Sequence, residues 1–83
     1  MVSYSVRVSN LFPECQEQDL REIMSRPGRI SRMYFPTVDG KAKGYAYVNY
    51  GTMDEVTRAI EMVDGLRFGS VILRVEISQN KKP

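Results

Sequence analysis

The sequence contains no histidine and a single cysteine, Cys15, among its 83 residues. One cysteine excludes a disulfide within the chain, and without histidine it cannot complete the usual ligand set of a zinc site. No apolar run approaches the roughly 20 residues that a membrane-spanning helix needs. The first residues also lack the basic start and the long apolar stretch of a signal peptide. We therefore expect no metal or other cofactor, no membrane association, and an intracellular location in the nucleus or the cytoplasm.

An excess of one charge is also missing. Twelve basic residues against ten acidic ones leave a net charge of +2, which is too small by itself to indicate a polyanionic partner. Without histidine, catalysis would depend on carboxylates, lysine or hydroxyl groups, and these form no recognisable constellation. The stretch G-K-A-K-G at 40–44 lacks the spacing of a phosphate-binding loop. We therefore predict that the protein is not an enzyme.

Hydrophobic periodicity predicts six elements of secondary structure. Apolar residues alternate with polar ones in the strand segments and recur every three or four residues in the helical segments. Thr52 and Glu55 have the spacing of a capping box, which opens a helix, and Asp39 with Gly40 marks a hairpin turn. The predicted elements are a strand at 5–9, a helix at 17–26, strands at 30–35 and 43–50, a helix between Thr52 and Asp64, and a strand at 71–77.

The order β-α-β-β-α-β predicts the ferredoxin-like sandwich of the α+β class. In this fold two helices would cover one face of a four-stranded antiparallel sheet and leave the other face open to solvent. A chain of 83 residues suffices for one modest core. We therefore predict a single domain over residues 1–83, structured from about residue 4 to residue 79 and followed by a flexible tail at 80–83.

The most informative stretch is the octet K-G-Y-A-Y-V-N-Y, which begins at Lys43. Because successive strand side chains point to opposite faces, Tyr45 and Tyr47 share one face with Lys43 and Asn49. The other face receives small and apolar side chains together with Tyr50, which suits packing against the helices. Tyr45 and Tyr47 then lie on the open face. Exposed rings spaced along a strand favour stacking on the bases of single-stranded nucleic acid.

The octet resembles the RNP1 signature of the RNA recognition motif, K/R-G-F/Y-G/A-F-V-x-F/Y, and departs from it only at Tyr47, where the pattern has phenylalanine. The string V-R-V-S-N-L at 6–11 resembles the companion RNP2 pattern. Both strings lie on the predicted central strands, and the resemblance covers nearly the whole chain. It implies single-stranded RNA as the partner, with Tyr47 stacking on a base, Tyr45 packing against sugars or neighbouring nucleotides, and Lys43 reaching a phosphate.

One position departs from the family pattern in chemical kind. Arg7 stands at the second place of the RNP2-like string, where the family usually has a stacking aromatic ring. A planar guanidinium also stacks on a base or pairs with a phosphate, so this interpretation retains RNA binding. The usual platform for two bases would nevertheless be altered.

The same alternation places side chains of the outer strands on the open face. Arg32 and Tyr34 are expected there in the second strand, and Arg74, Glu76 and Ser78 in the last strand. The basic side chains either contact RNA or pair with Glu76 across the sheet, and Tyr34 either contacts a base or packs over the sheet edge. The predicted RNA-binding residues are Arg7, Arg32, Tyr34, Lys43, Tyr45, Tyr47, Asn49, Arg74 and Glu76. Lys41, Lys81 and Lys82 either extend the phosphate contacts or are only solvated charge.

A protein-interaction module on the same fold is the alternative interpretation, because a fold does not determine a function. Arg7 in place of a ring favours this alternative. So do Met53 and Met62, which the apolar stripe of the second helix does not bury, since exposed methionine often marks an adaptable contact surface. In either interpretation we expect the isolated domain to be a monomer and to form part of a larger protein.

Overall fold

The computed structural model describes residues 4–78, which form two helices and eight short strands. The helices are α1 (Glu17–Met24) and α2 (Met53–Val63). The strands are β1 (Ser5–Ser9), β2 (Arg32–Tyr34), β3 (Thr37–Val38), β4 (Lys41–Ala42), β5 (Tyr45–Asn49), β6 (Arg67–Phe68), β7 (Val71–Ile72) and β8 (Arg74–Ser78). The predicted tail at 80–83, with Lys81 and Lys82, lies outside the described residues.

Four of the strands form one antiparallel sheet in the order β2-β5-β1-β8. β1 pairs with β5 on one side and with β8 on the other, and β2 pairs with the far side of β5. The strands β3 and β4 form one small hairpin, and β6 and β7 form another. This topology confirms the predicted ferredoxin-like α+β fold, with the two RNP-like strings on the neighbouring central strands.

The core lies between one face of this sheet and the two helices. On β1, Val6 and Val8 are fully buried, and the alternation leaves Arg7 on the opposite face. Burying one such aliphatic side chain stabilises the fold by about 1.5–3 kcal/mol. The helices contribute Leu20, Met24, Val56, Ala59 and Val63 to the core, and the sheet contributes Val6, Val8, Ala46, Val48 and Val75. Because α1 and α2 both pack on this one face, neither of them covers the other face of the sheet, which we call the open face.

Tyr50 joins the core, as the alternation in the octet predicts. Its side chain is 3% exposed, and its hydroxyl donates a 2.6 Å hydrogen bond to the carbonyl oxygen of Met24. That carbonyl belongs to the last turn of α1, where backbone acceptors have no partner within the helix. Burial, and to a lesser extent the carboxylate of Glu55, raises the pKa of the Tyr50 phenol. The ring therefore joins the end of β5 to α1 and is not available to the open face.

The predicted start of the second helix is confirmed. The backbone N–H of Glu55 donates to the hydroxyl of Thr52 (3.2 Å), and the Glu55 carboxylate accepts from the Thr52 N–H (3.0 Å). The same carboxylate also accepts from the backbone N–H groups of Gly51 (2.9 Å) and Arg29 (3.2 Å). A Cβ at Gly28 would lie 2.6 Å from the Glu55 Cγ. Glu55 thus caps α2 and also ties it to the loop that follows α1.

Several predicted elements are longer than the observed ones. β5 begins at Tyr45 rather than Lys43, because Gly44 has a φ of +101°, which lies in the left-handed region and interrupts the extended backbone. α1 ends at Met24 rather than at residue 26, and β2 covers residues 32–34 rather than 30–35. The predicted turn is correct, since Asp39 and Gly40 join β3 to β4 and both have positive φ.

The predicted single strand at 71–77 is wrong, because this segment is divided between two sheets. Val71–Ile72 pairs within the β6-β7 hairpin, whereas Arg74–Ser78 joins the main sheet beside β1. Leu73 stands between them, with its N–H donating to Leu66 (2.9 Å) and its carbonyl accepting from Gly65 (2.8 Å). The sequence pattern is continuous through this segment, so only its distant pairing partners determine where one strand ends and the next begins.

Candidate functional site

Four of the predicted site residues form one line across the open face. Tyr34 on β2 is the register partner of Tyr47 on β5, Tyr47 is the partner of Arg7 on β1, and Arg7 is the partner of Glu76 on β8. We call these four residues the central row. Residues directly opposite each other in antiparallel strands have Cβ atoms about 4.5–5.5 Å apart. The central row therefore presents two aromatic rings, a guanidinium and a carboxylate in sequence from one sheet edge to the other.

The tyrosine rings form a continuous aromatic surface on this face. The Tyr45 and Tyr47 ring centroids are 5.8 Å apart in an edge-to-face arrangement. The Tyr34 and Tyr47 centroids are 6.4 Å apart with the planes 25° from parallel. Tyr34 is 56% exposed, whereas Tyr45 and Tyr47 are partly buried by their neighbours. Tyr34 thus extends the ring surface to the outer strand β2 and remains accessible there.

Arg7 lies between the rings and the carboxylate. Its guanidinium carbon is 5.5 Å from the centroid of the Tyr45 ring, within the range of a cation–π contact. Its Nη1 atom is 3.6 Å from Oε2 of Glu76. The predicted pairing of a basic side chain with Glu76 across the sheet is therefore present at Arg7. Among the described residues this ion pair is the one that joins two members of the predicted site.

The other two arginines of the site do not pair with Glu76. The Nε atom of Arg74 lies 3.8 Å from Oδ1 of Asp64, and the same oxygen accepts a 2.9 Å hydrogen bond from the N–H of Val75. Arg32 is exposed, and within residues 4–78 it forms no ion pair. Asn49 stands opposite Arg32 in the register of β2 and β5. Arg32 is thus an exposed cation at the β2 edge, while Arg74 has an acidic partner at the β8 edge.

Lys41 and Lys43 lie at one end of the sheet. Lys43 is exposed and precedes β5, with its N–H donating to the carbonyl of Pro36 (3.1 Å). Its ammonium forms no ion pair with any described residue. The Nζ atom of Lys41 lies 3.7 Å from Oε2 of Glu14, so this predicted phosphate contact has an acidic neighbour. Lys43 is therefore the freer of the two cations.

The charges of the predicted site are mainly positive. Its cations are Arg7, Arg32, Lys43 and Arg74, and its only acidic member is Glu76. Cations interleaved with rings are the usual composition of a surface that binds single-stranded nucleic acid. The small net charge of the chain thus hides a positive excess on the open face, balanced by acidic side chains elsewhere.

Two residues near this site were not singled out by sequence reasoning. Ser9 stands between Tyr45 and Arg74 in the register of the central strands. The alternation of β1 would have found it, because Ser9 lies two residues from Arg7. Asp64 is the second residue, and it holds both Arg74 and the N–H of Val75. The sequence pattern assigns it only to the end of α2, and no local signal connects it to β8.

Other reactive groups in residues 4–78 do not form a site. Burial, with Asp19 as a smaller cause, raises the pKa of the Cys15 thiol to about 11, which leaves it protonated and unreactive at neutral pH. The described residues contain no cluster of three acidic or sulfur ligands that would hold a metal ion. Neither α1 nor α2 has the length and apolar character that crossing a bilayer requires.

Comparison with protein families gives one match over most of the chain. A family model described as the RNA recognition motif matches residues 6–74. The match includes both RNP-like strings and extends from the second residue of β1 to the first residue of β8.

Similar curated proteins are components of a translation factor. The chain is 39% identical over 79 residues to the g subunit of eukaryotic translation initiation factor 3 from Phaeosphaeria nodorum, covering 93% of this chain and 28% of that protein. It is 35% identical over 78 residues to the corresponding protein of Dictyostelium discoideum, covering 93% and 34%. The strings V-R-V-S-N-L, R-I-S-R-M-Y and L-R-V-E already resemble the RNA recognition motif of this translation factor component. The chain spans about a third or less of the length of these relatives.

Solved structures with the same fold include domains determined with RNA. The N-terminal RNA binding domain of a hypothetical protein is 32% identical, with a TM-score of 0.89 over 96% of this chain and 83% of that one. The RRM of Rna15 with bound RNA is 22% identical, with a TM-score of 0.85 over 98% of this chain and 88% of that one. At 22% identity, the similarity to the Rna15 domain supports the fold alone.

Proposed function

This chain belongs to the RNA recognition motif family, and from that premise we propose that it binds a short single-stranded RNA on the open face of its sheet. The observation that carries the proposal is the aromatic surface of Tyr34, Tyr45 and Tyr47, with centroids 5.8 and 6.4 Å apart, on a sheet face that neither α1 nor α2 covers. Each base stacked on an aromatic ring contributes about 1–3 kcal/mol. Without such a ligand, the exposed parts of three adjacent rings would remain in contact with water.

Each site residue has a proposed role. Tyr47 and Tyr45 stack on bases or sugars, and Tyr34 extends this surface to one more nucleotide at the β2 edge. The amide of Asn49, opposite Arg32 and beyond Tyr47 on β5, offers a hydrogen bond to a base or a sugar. The cations Arg7, Arg32, Lys43 and Arg74 contact phosphates or base edges, and Glu76 accepts hydrogen bonds from a base. Ser9 lies between Tyr45 and Arg74 and offers a small hydroxyl to the same strand of RNA.

The proposal assigns no catalysis and no cofactor to this chain. The relatives are named as components of a translation initiation factor, and this favours a role beside RNA in the cytoplasm over one in the nucleus. Because those relatives are about three times longer or more, we also propose that the domain works beside further segments of a larger protein. As an isolated domain it is proposed to be a monomer without membrane contact.

An NMR titration tests the proposal directly. Isotope-labelled protein is titrated with a pool of short single-stranded RNA of random sequence at moderate salt, and the amide shifts are followed residue by residue. We expect the largest shifts in β5 and β1, at Tyr45, Tyr47 and Arg7, with smaller ones at Arg32 and Arg74. Unchanged amide positions throughout the sheet, in a protein whose spectrum is that of a folded domain, would rule the proposal out.

A protein-binding role is the second candidate, and it has an observation of its own. On α2, Met53 is 49% exposed and Met62 is 46% exposed. On β8, Ile77 is the register partner of the buried Val6, yet it is 49% exposed at the sheet edge. Such a contact would be insensitive to truncation of Tyr47, whereas RNA binding would not. Titrating a partner protein while following the methyl signals of Met53 and Met62 distinguishes the two surfaces.

A further inference from the structure

The ion pair on the open face is poorly suited to a purely structural role. The Nη1 atom of Arg7 and Oε2 of Glu76 are 3.6 Å apart, and the side chains are 39% and 59% exposed. An exposed pair of this kind contributes little to folding stability. Both groups also retain hydrogen-bonding capacity toward solvent, because a guanidinium has five N–H donors and a carboxylate accepts on two oxygens. They therefore present a donor beside an acceptor on the face that the proposed RNA covers.

The position of this pair relative to the rings is set by the register. Arg7 is directly opposite Tyr47, and Glu76 is one strand further along the central row. Neighbouring strands are separated by about 4.8 Å. A base stacked on Tyr47 therefore has its edge toward β1 within reach of the guanidinium and of the carboxylate, which both belong to long side chains. In the central row, Tyr47 then offers a ring on which the face of a base can stack, and Arg7 and Glu76 offer hydrogen bonds to the edge of that base.

Base edges differ in the pattern that they offer to such a pair. On its Watson–Crick edge guanine presents two adjacent N–H donors, at N1 and at the N2 amine, next to the O6 acceptor. Uracil has one donor between two acceptors, and adenine and cytosine each have one amine donor beside an acceptor. A carboxylate accepts from two neighbouring donors at once only with guanine. Unstacked bases in single-stranded RNA are read on this edge.

We infer that Arg7 and Glu76 select guanine. Glu76 accepts from N1 and N2 of a guanine stacked on Tyr47, and Arg7 donates to O6 while it holds the carboxylate in place. The inference rests on the proposed RNA binding and adds to it a base preference and the residues that produce it. It also explains why the RNP2-like string has Arg7 where the family usually has an aromatic ring. A ring would stack on the face of a base, whereas the guanidinium donates hydrogen bonds to the edge of a base.

The first experiment measures base preference with defined oligonucleotides. Uridine heptamers carrying one central guanosine, inosine, adenosine or cytidine are titrated against the protein by fluorescence anisotropy, with the all-uridine heptamer as reference. We expect the guanosine heptamer to bind roughly tenfold more tightly than the adenosine heptamer, as a good bidentate contact discriminates between bases. Inosine lacks the N2 amine but keeps N1 and O6, so its affinity should lie between the two.

A matched pair of variants assigns the preference to the carboxylate. Glu76→Gln keeps the size but removes the charge and replaces one of the two acceptor oxygens by a donor amine. Arg7 can still donate to O6, so the preference for the guanosine over the adenosine heptamer should fall well below tenfold. Glu61→Gln makes the same change on the exposed side of α2, away from the sheet, and should keep the wild-type preference. The all-uridine heptamer should bind Glu76→Gln at least as tightly as wild type, because a negative charge has left the RNA-binding face.

The outcomes separate this inference from the function on which it rests. If all heptamers bind wild-type protein equally, RNA binding stands and guanine selection is overturned. If guanosine is preferred but Glu76→Gln retains that preference undiminished, another part of the domain reads the base, and the assignment to Arg7 and Glu76 is wrong. If no heptamer binds and no amide signal shifts with the random pool, the proposed function itself fails.

Discussion

Tyr47 lies at the centre of the open face and has neighbours from the site on three sides. It has Tyr34 opposite on one side and Arg7 opposite on the other, and its ring is 5.8 Å from that of Tyr45. Cross-strand pairs of this kind contribute about 0.2–1 kcal/mol each to stability. Under the proposed function, a base stacked on this ring would contribute more, about 1–3 kcal/mol. Tyr47 is therefore the residue whose truncation should separate binding from folding.

Replacing Tyr47 by alanine is expected to lower the affinity for single-stranded RNA by about 1–3 kcal/mol, the contribution of one stacked base. Tyr47→Phe retains the ring and should bind as wild type does. Fluorescence anisotropy measures the affinities, and thermal unfolding followed by circular dichroism checks that both variants are folded. A folded Tyr47→Ala variant with wild-type affinity would contradict stacking at this position.

At the scale of elements, the N-terminal end of α2 depends on one carboxylate. Glu55 accepts hydrogen bonds from the backbone of Arg29, Gly51 and Thr52, and from the hydroxyl of Thr52. The Arg29 N–H is the largest cause that lowers the pKa of Glu55 below its ordinary value of 4.5, followed by the Gly51 N–H. The carboxylate thus connects the helix start to the loop after α1, and its charged form stabilises both.

This arrangement predicts a loss of stability in acid. Because the pKa of Glu55 is lower in the folded protein, the unfolded chain binds more protons at pH values around and between the two pKa values. The free energy of unfolding therefore rises with pH in this range. The contribution of the Glu55 charge to stability is complete above pH 4.5, the ordinary pKa, and is lost as the pH falls through the lowered pKa of the folded protein. Urea unfolding of wild type and Glu55→Gln should therefore give midpoints that differ at neutral pH and converge in acid.

Glu61→Gln is the control for this experiment. Glu61 lies on the same helix, is exposed, and makes no hydrogen bond or ion pair with a described residue. Its substitution should leave the pH dependence of the urea midpoint as in wild type. A constant difference between wild type and Glu55→Gln from neutral pH into acid would show that the charge of Glu55 does not stabilise the cap.

At the scale of the whole molecule, residues 4–78 form a two-layer structure in which one face of the sheet is uncovered. Its principal extents are 33 × 29 × 17 Å, and the short dimension accommodates one sheet and one layer of helices. The helices pack on the apolar face of the main sheet, so Tyr34, Tyr45 and Tyr47 lie on the other face together with Arg7, Arg32 and Arg74. Charge that is nearly balanced over the chain is thereby separated in space. The domain consequently has a positive surface although its net charge is only +2.

This separation predicts a salt-dependent affinity. For single strands the logarithm of the binding constant falls against the logarithm of salt concentration with a slope of about −0.7 for each phosphate that is neutralised. Lys43→Ala should reduce the steepness of this slope by about 0.7 and weaken all RNA sequences equally. Arg26→Ala, beyond the end of α1, should leave the slope unchanged. Binding constants that do not vary with salt would contradict phosphate contacts on the open face.

Local pattern in the sequence determined which residues share a face. Strict alternation in 5–9 and 45–49 assigns each side chain to the core or to the open face, because the side-chain period of a strand is two whatever its partners are. The capping box at Thr52 and Glu55 and the turn at Asp39 and Gly40 are likewise local, and all were predicted. The placement of Tyr50 in the core follows from the same period.

Only the tertiary structure decided which of these side chains meet. Arg7 and Glu76 are far apart in the chain, and their contact depends on the register between β1 and β8, as the pairing of Tyr34 with Tyr47 depends on that between β2 and β5. The division of 71–77 between two sheets and the ion pair between Arg74 and Asp64 also depend on how distant segments pair. Register results from the packing of the whole core against the sheet. Neighbours along the chain therefore reveal the face of a residue, and the assembled sheet reveals its partners.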